Sequence, residues 1–125
     1  MRNILFLAIV LAAGLVGCQG PVRDCQQFHE GTFRFTAEVD GAEETTVFTR
    51  TKDLEISEFQ GKTDSASIRW MNDCEYILTN LNPKTRAEEK PIHMKILSTS
   101  GDSYTFEYKL VGSSKSSLGT AHRVE

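Results

Sequence analysis

From Thr32 to Val39 the chain alternates strictly, with Phe33, Phe35, Ala37 and Val39 on one face and Thr32, Arg34, Thr36 and Glu38 on the other. A period of two is that of a strand with one buried face. Asp40-Gly41 follows, and this pair suits a type I′ hairpin turn because both central residues need positive φ. The pattern predicts a second strand over Thr45–Arg50 and, after Lys52-Asp53, a third over Leu54–Gln60. A loop over Gly61–Ser65 leads to a fourth strand, Ser67–Met71, and Asn72-Asp73 turns the chain into a fifth, Cys74–Thr79. Asn82-Pro83 then reads as a helix start, closed by Pro91, so the charged stretch Lys84–Lys90 is expected to be a helical turn or solvated loop. Ile92–Leu97 is a sixth strand with Ile92, Met94 and Ile96 inward. Tyr104, Phe106, Tyr108 and Leu110 form the clearest alternation of all, and Leu118–Val124 is the last strand.

About eight short strands joined by tight connections describe an all-β antiparallel meander. Closure into a small calycin-like barrel removes the exposed edges that such a sheet would carry; a curved open sheet and a small sandwich are the alternatives. An eight-stranded barrel encloses only enough space for side chains or one small ligand. The inward aromatics Phe33, Phe35, Tyr104, Phe106 and Tyr108 are large, so a filled interior is the expectation.

Ahead of the strands lies an apolar run from Ile4 to Val16 behind a single charge at Arg2. It is shorter than the roughly 20 residues that span a bilayer and fits the core of a secretion signal. Leu15-Val16-Gly17-Cys18 at its end resembles a bacterial lipobox. The resemblance implies cleavage before Cys18 and lipidation of that cysteine, and so a partner in the membrane itself, held through a lipid anchor. Residues 1–17 are then a signal peptide, 18–30 a lipid-anchored segment and 31–125 a single β domain. Gln19 follows the cysteine where an acidic residue does not, which by resemblance to lipoprotein sorting rules points to the outer membrane.

Charge narrows the function further. The chain carries 14 Lys and Arg against 17 Asp and Glu, a formal charge of −3, and loss of Arg2 takes it to −4. There is no clustered basic stripe of the kind that neutralises phosphates, so a nucleic-acid partner is not expected.

Cys25, Gly31-Thr32-Phe33, Arg50 and above all Ile68-Arg69-Trp70-Met71-Asn72-Asp73-Cys74-Glu75-Tyr76-Ile77-Leu78 resemble a family of small lipoproteins of Gram-negative bacteria, and Tyr104-Thr105-Phe106 and Gly119-Thr120-Ala121 extend the likeness. The resemblance implies a location and no activity. Some members carry the name of a DNA topoisomerase IV subunit, but an acidic exported β domain of this size has no room for that enzyme's tyrosine and metal chemistry. With Cys18 lipidated, Cys25 and Cys74 remain in a compartment where disulfides persist. A bond between them is expected, two buried free thiols being the alternative.

No catalytic set can be assembled. His29, His93 and His122 lack partners at metal-site spacing, so neither a metal nor a cofactor is expected, and His93 alternates with core residues and should face solvent. Arg50, Glu55, Arg69, Glu75, Lys95 and Glu107 fall opposite the apolar stripe, as a solvated face with cross-strand ion pairs. Alternatively, Arg50, Glu55 and Arg69 sit at a barrel mouth and orient a polar ligand group, with Trp70 lining the same cavity; a core role for Trp70 is the simpler reading. Asp64-Ser65-Ala66, in the expected loop, resembles the acceptor of a periplasmic O-glycosylation system, which would modify Ser65. The expected function is a lipid-anchored, non-catalytic interaction or scaffold module with an envelope-protein partner; the alternative is a carrier of a small apolar ligand.

Overall fold

The computed structural model describes residues 23–124; the signal-like run and Cys18 lie outside the described residues. Eight antiparallel strands form one closed barrel in chain order. They are β1 (Gly31–Val39), β2 (Ala42–Arg50), β3 (Leu54–Phe59), β4 (Lys62–Asn72), β5 (Glu75–Asn80), β6 (Ile92–Ser100), β7 (Ser103–Leu110) and β8 (Ser117–Arg123). The all-β meander read from alternation is therefore a barrel, sealed where Phe33, Arg34 and Phe35 of β1 pair with Arg123, His122 and Ala121 of β8. Most connections are as tight as the sequence demands. Asp40 and Gly41 have φ of 52° and 82°, as a type I′ turn needs.

One connection is tighter than expected. Gln60 and Gly61 take φ of 50° and 75° and make a second two-residue hairpin, so β4 starts at Lys62. Ser65 therefore lies within β4, half-buried and opposite Ile56 of β3, and not in a loop. Gln-Gly is a weaker turn signal than Asp-Gly, because Gln tolerates positive φ less readily than Asp or Asn. The stretch after Asn82-Pro83 is a 3₁₀ turn, Ala87–Glu89. It is held by Thr85 and Glu88, whose side chains accept each other's backbone N–H groups as well as that of Lys84. This is the reciprocal capping arrangement of a Thr-x-x-Glu sequence.

The two ends of the barrel differ. At the end where β1 begins, a 3₁₀ turn over Gln26–Phe28 folds across the opening and drives Phe28 inside, where it is fully buried. Its ring lies 4.9 Å from that of Tyr104 and 6.0 Å from that of Phe33. Complete burial of such a ring contributes roughly 1.5–3 kcal/mol. Two anchors hold the turn in place. Cys25 is disulfide-bonded to Cys74 in the β4–β5 turn, with Cα atoms 5.2 Å apart. Arg123, at the end of β8, donates to the carbonyls of Gln27 and Glu30 and lies over the Phe33 ring. The segment before β1 is thus part of the barrel's core. The opposite end, reached by the Asp40-Gly41 and Gln60-Gly61 turns and the 81–91 connection, has no such plug among the described residues.

Phe33, Phe48, Ile96, Tyr104, Phe106 and Ala121 pack against Cys25 and Phe28 as the main core. Ala121 and Gly119 are the small residues of β8 on this inner face. A Cβ at Gly119 would stand 2.5 Å from the Phe35 ring and 2.8 Å from the Phe106 ring, so the aromatics fit only because this position carries no side chain.

Candidate functional site

Strand alternation places a charge inside the barrel. Along β2 the inward positions are Thr46, Phe48 and Arg50, and Arg50 is 1% exposed. The register pairs Arg50 with Glu55 of β3, so both project to the interior. This corrects the expectation that Arg50 and Glu55 lie on the solvated face. The physical reason is that β3 is inverted: its polar residues Glu55 and Ser57 line the interior, while Leu54 and Ile56 are 39% and 41% exposed on the outside. Taking an ion into such an interior carries a penalty of several kcal/mol unless its charge and donors are answered.

They are answered here. Arg50 Nη2 donates to Glu55 Oε1 at 3.0 Å, to the Tyr76 hydroxyl at 2.6 Å and to the Tyr104 hydroxyl at 3.1 Å. Nε donates to the same Glu55 oxygen at 3.2 Å, and Nη1 to the Phe28 carbonyl at 2.6 Å. The guanidinium also lies 4.7 Å from the centre of the Tyr76 ring and 5.3 Å from that of Phe33. Burial disfavours its charged form, but the tyrosine hydroxyls and Glu55 more than offset this, and the pKa rises above the ordinary guanidinium value. The same burial pushes both tyrosine pKa values up from their usual 10, with the nearby Arg50 charge opposing in each case. The centre is thus a cation, a carboxylate and two neutral phenols, and it ties the N-terminal turn, β2, β3, β5 and β7 to one another.

Above this centre the barrel is not full. The inward aromatics take the positions read from the sequence, but they fill chiefly the plugged end. Toward the open end a cavity of about 220 Å³ remains, with Arg50 and Glu55 as its floor. Its walls are Phe35, Phe48, Leu78, Ile92, Met94, Phe106 and Tyr108, with Thr46, Ser57 and Tyr76 the other polar contributors. A second hollow of about 420 Å³ adjoins it and shares Glu55, Ser57, Leu78 and Ile92; its margin includes Asp64, Ser65, Glu88, Lys90 and Leu110. The expectation of a filled interior is corrected at this end: the aromatics fill most of the barrel but leave room for one small molecule. The space remains because β3 contributes Ser57 to the lining where a large apolar side chain would close it.

The other singled-out residues lie elsewhere. Arg69 is exposed on the outer face of β4 and takes no part in the polar centre. Trp70 points inward but at the plugged end, 4.4 Å from the Tyr76 ring and stacked at 3.6 Å beneath His29, so it does not line the open cavity. His29 also bonds the Asp73 carbonyl through Nε2 at 2.8 Å. His93 lies on the outer face as expected, with Nε2 3.2 Å from Glu75 Oε1. Glu75 pairs in register with Lys95, and Lys95 with Glu107, an alternating row of charges across β5, β6 and β7. A hydrogen bond from Asn72, helped by Lys95 and His93 against slight burial, lowers the Glu75 pKa below the usual carboxylate value. Tyr76 was not singled out in the sequence, although its parity with Leu78 on β5 marks it as an inward residue.

No protein-family model, curated protein or solved structure matches the chain.

Proposed function

We propose that this protein is a non-catalytic, lipid-anchored receptor of the cell envelope that holds a small, mainly apolar molecule in the open end of its barrel. The observation that supports this reading best is the cavity itself. Aromatic and aliphatic walls with a few convergent polar groups make up the usual chemistry of a small-molecule site. The interior space is modest, but it opens onto the larger adjoining hollow at the mouth. A scaffold needs a rigid exterior and gains nothing from an unfilled core, whereas a carrier needs both a rigid base and an open end. The two ends of this barrel divide along those lines. The charged groups of the floor are engaged with one another, which suits retention of a ligand better than chemistry on it.

The anchor belongs to the same proposal. Lipidation at Cys18 would place the plugged end, where residue 23 enters the barrel, nearest the membrane. Four residues lie between the two positions, five Cα–Cα steps with a reach of at most about 18 Å. The outer membrane is the proposed location.

Protein purified from native membranes and extracted with organic solvent should release a small molecule in near-stoichiometric amount, identified by mass spectrometry. Cys18→Ser should abolish lipid labelling and move the protein out of the membrane fraction. A solvent extract without any bound molecule, together with no stabilisation by small aromatic compounds, would remove the carrier reading and leave a scaffold that acts through its outer faces.

A further inference from the structure

The floor of the cavity restricts what can bind there. Both contacts from Arg50 to Glu55 fall on one carboxylate oxygen, Oε1. Among the described residues Oε2 takes no hydrogen bond, yet no sealed side-chain oxygen or nitrogen lacks a partner. Oε2 is therefore not sealed, and the Glu55 side chain keeps 12% of its surface accessible while that of Arg50 keeps none. With Glu55 lining the cavity, an anionic acceptor is presented at the base of an aromatic-walled space.

We propose that this site recognises a neutral aromatic molecule bearing one hydroxyl or N–H donor, of the phenol or indole class, with the ring among the aromatic walls and the donor on Glu55 Oε2. The proposal rests on the carrier reading and specifies its ligand. Size is the first argument. An apolar cavity of about 150 Å³ suffices for benzene, so about 220 Å³ accepts one substituted ring. Charge is the second. An anionic group would meet Glu55 first, and would pass Asp64 and Glu88 at the mouth against a single Lys90. A cation would gain little, because Arg50 already neutralises the carboxylate from behind. A neutral donor has neither drawback, and a hydrogen bond to an ionised acceptor is stronger than one between neutral groups.

Three probes that differ only in the group para to a methyl separate the possibilities: toluene (hydrogen), p-cresol (hydroxyl) and 4-methylanisole (methoxy), titrated calorimetrically into the domain beginning at Gln19, whose described part forms a closed barrel with its own core. p-Cresol should bind about tenfold more tightly than toluene, the order of magnitude for a hydrogen bond to a charged group. 4-Methylanisole has an acceptor and no donor and should bind more weakly than p-cresol despite its extra carbon. In Glu55→Gln the amide oxygen stays on Arg50 and the amide NH₂ faces the cavity. The phenol oxygen can then only accept from a neutral donor, as the ether oxygen can, so the advantage of p-cresol over toluene should shrink and 4-methylanisole should gain on p-cresol. If that variant does not fold, the wild-type series alone decides. Equal affinities for toluene and p-cresol would overturn the donor proposal and leave the apolar carrier standing. No binding of any of the three would overturn both.

Discussion

Arg50 and Glu55 are cross-strand partners at the plugged end of β2 and β3, and their side chains meet inside the barrel at 3.0 Å. The guanidinium is answered on its other sides by tyrosine hydroxyls and by the carbonyl of the turn that plugs the barrel. The plug, the floor of the cavity and four strands therefore depend on one guanidinium.

Removing it should be costly. Arg50→Met strands Glu55 in the interior and leaves the Phe28 carbonyl unbonded, and breaking a buried pair from one side costs about 3–5 kcal/mol. The double variant R50M/E55L removes both charges and should recover part of that loss. Urea unfolding of the wild type, the two single variants and the double variant gives the coupling as a double-mutant cycle. Additive effects would mean that the pair is not a unit.

Much of this fold could be read from period-two alternation. The alternating aromatics of β1 and β7, the Asp40-Gly41 hairpin and the outward placement of His93 all followed from local signals, and the Cys25–Cys74 bond from cysteine count and an expected oxidising compartment. The polar centre did not, because hydrophobicity and parity disagree on β3. Leu54 and Ile56 form an apolar stripe, and a strand read alone buries its stripe. Only the pairing of Arg50 with Glu55 shows that the stripe faces outward, and pairing is a long-range property. On β2 the cue was present: Arg50 shares its parity with Phe48. The cavity was equally hidden, since it depends on how Ser57 of β3 faces the aromatics across the barrel.

The buried tyrosines make the fold sensitive to alkali. Burial raises the pKa of Tyr76 and Tyr104 above their ordinary value of 10. A raised folded-state pKa gives stability that is fully present below the unfolded pKa and is lost as pH rises through the folded one. Stability should therefore fall above about pH 10, where unfolded tyrosines ionise and these two do not. Tyr76→Phe should reduce the slope of urea stability against pH in that range; an unchanged slope would show that Tyr76 ionises in the barrel as readily as in the unfolded chain.

The disulfide should contribute in proportion to the loop it closes. Cys25 and Cys74 are 49 residues apart, for which the chain-entropy account gives about 4 kcal/mol. That is a large share of the roughly 5–15 kcal/mol typical of a domain. Reduction should lower the urea midpoint while the far-ultraviolet β signal persists in water. A midpoint unaffected by reductant would mean that Arg123 and Phe28 hold the plug without help.

Gly119 should not accept a side chain. Gly119→Ala sets a methyl against the Phe35 and Phe106 rings, and overpacking of this kind costs about 1–3 kcal/mol. Thermal unfolding of the variant measures this loss; an unchanged midpoint would mean that the rings can retreat into the cavity.

The cavity's role is tested most directly by nuclear magnetic resonance of the domain beginning at Gln19, with methyl groups of Leu, Ile and Met observed during titration with p-cresol. Leu78, Ile92 and Met94 line the interior, whereas Leu54 and Ile56 lie on the outer face and serve as internal controls. Binding in the barrel predicts saturable shifts at the first three and none at the last two. Shifts confined to Leu54 and Ile56, or none anywhere at saturating probe, would contradict a ligand-holding barrel.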